Sequence, residues 1–289
     1  MKLSKVFESK VPTLSFEVFP PKTDDKYESV KYATEEIAKL KPDFMSVTYG
    51  AGGGTSQYTL SIAENLKNNS GVTPLAHLTC VSSTKEMIHN QLTLLKDAGI
   101  ENILALRGDI PDGLNREKLD YHYASELITE IKEFGGFTIG GACYPEGHVE
   151  SYSQKEDIIN LKKKVDAGCE FMTTQMFFDN NIFYNFLYKI REAGITVPIV
   201  AGIMPVTNAN QIERICKLSG TYLPQRFHYI VDRFRDNPDA MAQAGIAYAT
   251  EQIIDLLANG VNNIHVYSMN KPEVAKKIRE NLSEIVPVR

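Results

Sequence analysis

The sequence lacks several features that assign proteins to common classes. No run of about 18 apolar residues is present, so no membrane-spanning helix is expected. The four cysteines form no Cys-x-x-Cys pair, which disfavours a structural zinc site and is typical of a reduced, cytoplasmic protein. The N-terminus lacks the apolar core of a signal peptide. The net charge is −5, so the basic excess typical of nucleic-acid-binding proteins is also missing.

Several catalytic motifs are missing as well. There is no G-x-S-x-G, no H-E-x-x-H and, after the first predicted strand, no G-x-G-x-x-G. The last absence disfavours a dinucleotide-binding sheet of the Rossmann type. No low-complexity segment or Pro/Gly-rich linker divides the 289 residues.

What the sequence contains is an alternation of apolar runs and helical patterns. Predicted strands cover residues 13–19, 44–49, 74–80, 103–106, 138–144, 171–178, 198–205 and 264–269. Predicted helices cover 24–41, 56–68, 180–193, 209–218, 226–234, 238–258 and 272–285, and others follow the capping boxes Ser83 with Glu86 and Ser153 with Glu156. This order predicts one domain over 1–289, a (β/α)8 TIM barrel with extra short helices. The rival is an open doubly wound sheet.

A repeated joint between helix and strand supports a βα repeat. It occurs at 97–99, 166–168 and 192–194 as an acidic residue, alanine and glycine, and in a looser form at 258–260. Each glycine stands where the end of a helix needs a positive φ, and each precedes an apolar run.

Polar residues gather at the predicted strand ends, where the active sites of barrels lie. Glu17 interrupts an apolar strand, and a charge there needs a partner or a function. His77, between Ala76 and Leu78, is as compatible with a satisfied core histidine as with a functional one. Arg107 and Asp109 form either part of a site or a structural ion pair. Weaker candidates at other strand ends are Thr48, Tyr49, Tyr144, His148, Gln175 and Tyr267.

A polar stripe follows the fifth strand. Asp157, Asn160 and Lys164 fall at i, i+3 and i+7, with Lys163 beside them. Such a stripe is either a solvated helix face or a surface for the ribose and phosphates of a nucleotide.

A metal site is a further alternative, and it would make the chain a metal-dependent barrel lyase. Glu17, His77, Asp109, Glu146 and His148 are its candidate ligands. They come from different strands without local ligand spacing, so no metal is predicted.

Ordered motifs run across nearly the whole chain. They lie at 15–22, 46–50, 76–80, 106–109, 144–148, 160–168, 174–179 and 202–206. In this order they resemble methylenetetrahydrofolate reductases of the short bacterial type, which consist of a catalytic domain without a regulatory one. The resemblance implies FAD-dependent reduction of 5,10-methylenetetrahydrofolate to 5-methyltetrahydrofolate, with ping-pong kinetics and NADH or NADPH as the reductant. It places the protein in one-carbon metabolism leading to methionine biosynthesis and is compatible with a homo-oligomer.

The resemblance also implies binding residues. Flavin contacts carry over to Thr48, Tyr49, Ala51, His77, Arg107, Gly108, Asp109, Ala124, Tyr144, His148, Ser151, Asp157, Asn160, Lys163 and Lys164. Folate contacts carry over to Asp109, Gln175 and Tyr267, and Lys271 stands where the family has arginine.

The residue types suit this chemistry. The one-carbon bridge of the substrate is a cyclic aminal, and opening it to an iminium requires protonation of the departing nitrogen. Glu17, held between Phe16 and Val18, is the predicted general acid because apolar surroundings raise the pKa of a carboxyl group. Asp109 is predicted to stabilise the cationic iminium and to bind the pterin.

Three departures from the family pattern leave the reductant open. They are Lys271, Ile215 in place of an aromatic residue, and the glycine-rich segment 52–54. Ile215 and the glycine-rich segment motivate an alternative in which the chain is a flavin-binding subunit of an electron-transfer complex and needs a partner to reduce its FAD.

Overall fold

Eight parallel strands close into a barrel in chain order. The computed structural model describes residues 1–9, 11–21, 23–49, 56–111, 113 and 115–288. Each strand pairs with the next, and the eighth pairs with the first. The predicted (β/α)8 barrel is therefore confirmed, and the open-sheet alternative is wrong.

The strands are β1 (Thr13–Val18), β2 (Met45–Val47), β3 (Pro74–Thr79), β4 (Asn102–Leu106), β5 (Thr138–Cys143), β6 (Phe171–Thr174), β7 (Ile199–Ile203) and β8 (Asn263–Val266). The helices are α1 (Leu3–Phe7), α2 (Tyr27–Ala38), α3 (Ser56–Asn68), α4 (Lys85–Asp97), α5 (Ala124–Phe134), α6 (Gln154–Ala167), α7 (Asn180–Glu192), α8 (Ala209–Ser219), α9 (Gln225–Phe234), α10 (Pro238–Ala258) and α11 (Pro272–Asn281). Every predicted element is present. The largest boundary errors are at β6 and α11, which each end four residues earlier than predicted. At β6 this is because Phe177 and Phe178 are buried outside the sheet.

The helix ends follow the predicted chemistry with one exception. Ser153 caps α6, and its hydroxyl accepts a hydrogen bond from Glu156 N at 3.2 Å. The predicted box at Ser83 is wrong, because Thr84 caps α4 and accepts from Met87 N at 3.2 Å. The glycines of the repeated joints all have positive φ: Gly99, Gly168, Gly194 and Gly260.

The N-terminal helix α1 was not predicted. Leu3 and Phe7 close the amino end of the barrel, where the Phe7 ring lies 4.9 Å from that of Phe171. Five side chains inside that end of the barrel complete this apolar layer, namely those of Phe44, Leu75, Leu104, Phe171 and Val200. A five-residue amphipathic turn is too short for its periodicity to be recognised.

The middle of the barrel is polar rather than aliphatic. TIM barrels usually fill this layer with valine, isoleucine or leucine. Here the next layer of buried side chains, towards the carboxyl ends of the strands, contains Ser15, Ser46, His77, Thr173 and His265. Buried polar groups require partners or ligands, so this layer already indicates where chemistry takes place.

No helix in the described ranges is both long enough and apolar enough to cross a membrane. A cytoplasmic location stays a prediction.

Candidate active site

Glu17 lies at the carboxyl end of β1, in register with Ser46 on β2. Its side chain is 19% exposed. Burial raises the pKa of Glu17 from 4.5 to about 7, and Ser46 Oγ lies 3.4 Å from its Oε2 atom. Glu17 can therefore carry a proton near neutral pH, which a general acid requires.

His77 on β3 lies beside this carboxyl group, with its Nε2 atom 3.7 Å from Glu17 Oε2. Burial lowers the pKa of His77 to about 3, so the ring is neutral and the contact is not an ion pair. Nε2 is buried and has no hydrogen-bond partner in the described part of the chain. His77 is thus not a satisfied core histidine, and its free nitrogen is suited to a ligand.

Tyr267 follows β8 on the same side of the site. Its hydroxyl donates to Thr174 O at 2.5 Å, and burial, followed by Glu17, raises its pKa well above the usual value. A Cβ on Gly202 would lie 2.4 Å from the tyrosine hydroxyl oxygen. Gly202 therefore gives Tyr267 the space that it occupies.

Arg107 pairs with Glu150, which the sequence did not indicate. Its Nη1 and Nη2 atoms donate to the two carboxylate oxygens at 2.8 and 2.6 Å, a bidentate geometry. Asp109 is exposed, and among the residues described no ion pair joins it to Arg107. The Arg107–Asp109 ion pair is therefore wrong. Gly108 between them has φ +87°, a conformation that side-chain-bearing residues rarely adopt.

Tyr144 directly follows the last residue of β5. Its ring meets that of His148 edge-on at 4.6 Å. Burial raises the pKa of Tyr144 to about 12, with Asp109 raising and Arg107 lowering it. Burial and Arg107 lower the pKa of His148, whose Nδ1 accepts from Glu150 N at 3.1 Å. These residues share one end of the barrel, as predicted.

The polar stripe on α6 is only partly solvated. Asp157 is 5% exposed, and Ser151 Oγ donates to its Oδ1 at 3.3 Å. Oδ2 of Asp157 is buried and has no partner within the described residues. Lys164 donates to Ala142 O at 2.8 Å, and burial lowers its pKa while raising that of Asp157. A solvated-face interpretation does not explain such burial.

The outer part of the stripe is more open. Lys163 is exposed and donates to Asn160 Oδ1 at 3.0 Å. An unpartnered carboxylate oxygen is an acceptor for sugar hydroxyls, and Lys163, Lys164 and Arg107 are donors suited to phosphate. The residues present therefore fit a nucleotide.

The remaining residues predicted to contact flavin or folate lie on several different elements of the barrel. Gln175 uses its Oε1 to accept from Met176 N at 2.9 Å, and Ala124 is the buried first residue of α5. Thr48 and Tyr49 follow β2, and burial raises the pKa of Tyr49. Ala51 lies outside the described residues, as do Gly52 to Gly54.

Lys271 is the N-cap residue of α11. It donates to Thr207 Oγ1 at 2.7 Å and lines a cavity of about 400 Å³ together with residues of α10 and α11. A larger cavity of about 600 Å³ lies at the opposite end of the barrel beside α1, and none of the predicted site residues lines it. Within the described ranges, no three His, Cys, Asp or Glu side chains form a group that could hold a metal ion.

Three residues of the site were missed: Ser46, Glu150 and His265. His265 stands between Ile264 and Val266, the same signal that singled out His77. Ser46 stands between Met45 and Val47, but its register with Glu17 is set only when the sheet forms. Glu150 carries no such signal, because its partner Arg107 is 43 residues away in the chain.

Sequence comparisons assign the chain to a family. The profile described as "Methylenetetrahydrofolate reductase" matches residues 2–283. The 5,10-methylenetetrahydrofolate reductase of Escherichia coli K12 is 35% identical over 269 residues, covering 93% of this chain and 90% of that protein. Methylenetetrahydrofolate reductase (NADH) 1 of Arabidopsis thaliana is 35% identical over 300 residues, covering 98% of this chain and 50% of the plant protein. The chain thus spans about half the length of the plant relative.

Structural comparison supports the fold. A Clostridium thermocellum protein, described as uncharacterized and as binding two copies of 5-methyl-5,6,7,8-tetrahydrofolic acid, matches with a TM-score of 0.66. It is 14% identical, and the match covers 99% of both chains. From the family profile and the bacterial relative, which both cover most of its length, we conclude that this chain belongs to the methylenetetrahydrofolate reductase family.

Proposed function

We propose that the protein reduces 5,10-methylenetetrahydrofolate to 5-methyltetrahydrofolate, using FAD and a nicotinamide nucleotide in a ping-pong reaction. The observation that carries this proposal is the buried Glu17 carboxyl, whose pKa of about 7 suits a proton donor. It lies at the active end of a barrel whose chain belongs to this family. The product would serve methyl transfer in one-carbon metabolism.

FAD is proposed because the polar groups around α6 fit its sugar and phosphate groups. Asp157 and Ser151 would hold hydroxyls, and Lys163, Lys164 and Arg107 would face phosphate. Tyr144, His148 and the neutral His77 would border the ring system. When bound, the flavin supplies the hydride chemistry that side chains lack.

The side chains contribute proton transfer and orientation. Glu17 donates its proton to the departing nitrogen of the bridge, so that the ring opens to an iminium. Asp109 stabilises the positive charge and binds the pterin, while Gln175 and Tyr267 orient the folate. Lys271, which lines the cavity beside α10 and α11, binds the glutamate portion.

The folate half of the reaction should slow as the pH rises above about 7. Because burial raises the pKa of Glu17 to about 7, the proton-carrying form predominates below that pH and is lost above it. Well above the pKa, the rate should fall about tenfold per pH unit. Single-turnover oxidation of the reduced enzyme by methylenetetrahydrofolate measures this rate. A rate that is constant or increases between about pH 6 and pH 9 would contradict the acid role.

A binding and bleaching experiment tests the function as a whole. The protein should bind FAD, and its yellow colour should bleach under anaerobic conditions with NADH or NADPH. Failure to bind FAD would overturn the proposal. FAD binding without bleaching by either nucleotide favours the alternative, a subunit that needs an electron-transfer partner. The metal-dependent lyase alternative is tested by elemental analysis of the purified protein.

A further inference from the structure

A line of buried polar side chains crosses the barrel interior and ends at Glu17. Ser15, Ser46 and His265 are each at most 2% exposed. Ser15 Oγ lies 2.9 Å from Ile264 O and 2.8 Å from His265 Nδ1. On the other side of the ring, His265 Nε2 lies 3.0 Å from Ser46 Oγ, which in turn lies 3.4 Å from Glu17 Oε2. The proposed chemistry does not yet explain this line.

The number of hydrogens fixes the direction of these bonds. The Ile264 carbonyl can only accept, so the single hydroxyl hydrogen of Ser15 points to it. Ser15 then offers only a lone pair to the ring, and His265 Nδ1 must carry the hydrogen between them. If Ser15 instead donated its hydrogen to Nδ1, Ser15 Oγ and Ile264 O would lie 2.9 Å apart with no hydrogen between them.

The position of the hydrogen on the His265 ring determines which atom donates in its hydrogen bond with Ser46. Burial, followed by His77, lowers the pKa of His265 to about 3, so the ring is neutral and has one hydrogen. With that hydrogen on Nδ1, Nε2 can only accept, and it takes the only hydroxyl hydrogen of Ser46. The ring cannot easily turn, because it stacks on Phe44 at 5.6 Å and meets Tyr267 edge-on at 5.4 Å.

We propose that His265 is a positioning residue. Its ring is protonated on Nδ1, and its Nε2 atom accepts the hydrogen bond that the Ser46 hydroxyl donates. Ser46 can then only accept a hydrogen bond from Glu17, and this bond holds the acid in its proton-carrying form. The consequence for catalysis rests on the proposed acid role of Glu17. Among the described residues, the other titratable groups facing Glu17 are His77 and Tyr267, and burial keeps both uncharged near neutral pH. The direction of the Ser46 bond therefore decides which form of Glu17 is favoured.

The tautomer of His265 can be measured without any reaction. The chain contains six histidines, so ¹⁵N-labelled histidine gives few signals, and the His265→Phe variant identifies the one sought. In the full chain with no folate or nicotinamide added, the signal should show a protonated Nδ1 and an unprotonated Nε2. A protonated Nε2 would overturn the proposal. This result does not depend on the proposed function, so the two can fail separately.

The effect on Glu17 is tested in the same variant. His265→Phe keeps an aromatic ring against Phe44 but frees the Ser46 hydrogen to donate to the carboxylate. Infrared titration of the carboxyl band, assigned with Glu17→Gln, should then show the pKa of Glu17 lower by about one unit. An unchanged or higher pKa would overturn the proposal.

Ser46→Ala is a second test that keeps His265 in place, and it decides the matter if the phenylalanine variant does not fold. If Ser46 only accepts from Glu17, its removal deprives the acid form of a partner and does not raise the pKa of Glu17. A raised pKa in Ser46→Ala would mean that Ser46 donates to the carboxylate, and the proposal would be overturned.

Discussion

Replacing Glu17 with glutamine should reduce folate turnover by about 10²–10⁴-fold and leave reduction of the bound flavin by the nicotinamide nearly unchanged. Glutamine has almost the same shape but cannot deliver a proton to the departing nitrogen. The variant should fold, because it replaces a buried ionisable group with a neutral one. Rapid-mixing measurements of the two half-reactions separate the two effects.

Glu130→Gln is the matched control for this experiment. Glu130 is a partly buried carboxyl on α5 that accepts a hydrogen bond from the Tyr121 hydroxyl at 2.6 Å, and none of the predicted site residues contacts it in that bond. Its replacement should leave the folate half-reaction close to that of the unaltered protein. If Glu17→Gln retains the same folate rate as Glu130→Gln, the general acid must be sought elsewhere.

Replacing Asp157 with alanine should weaken FAD binding by about 10- to 100-fold. The variant removes a buried carboxyl whose Oδ2 is unpartnered within the described residues. Hydrogen bonds to a charged acceptor are worth about 1.5–3 kcal/mol, which corresponds to this loss of affinity. Titration of the apoprotein with FAD, followed by flavin fluorescence, measures the dissociation constant.

Asp166→Ala on the same helix provides the control. Asp166 is 61% exposed and pairs with Lys162 at 2.5 Å, so its removal changes the charge of α6 by the same amount without touching the buried group. It should bind FAD as the unaltered chain does. Equal affinities in the two variants would show that Asp157 does not contact the cofactor.

The fold was predictable because each βα unit repeats its local chemistry. Glycines with positive φ end the helices before β4, β6, β7 and β8, and apolar runs mark every strand. The short helix α1 was not predictable, since its role depends on Phe44, Leu104 and Phe171, which are distant in sequence. The early end of β6 likewise reflects tertiary packing of Phe177 and Phe178 rather than a turn signal.

The site was predictable where a polar residue interrupts an apolar strand. Glu17 and His77 were found in this way, and the structure places their side chains 3.7 Å apart. Partners across the barrel were not found, because pairing between Arg107 and Glu150, or between Ser46 and His265, depends on closure of the sheet. The burial of Asp157 could not be deduced either, since the same spacing also occurs on solvated helices.

The most direct test of the central claim is the folate half-reaction itself. The FAD-loaded protein is reduced under anaerobic conditions and mixed with 5,10-methylenetetrahydrofolate in the absence of a nicotinamide. We predict that the oxidised flavin spectrum returns and that one 5-methyltetrahydrofolate forms for each flavin oxidised. A flavin that stays reduced, in protein that is folded and retains its FAD, would contradict the assignment of this site to methylenetetrahydrofolate reduction.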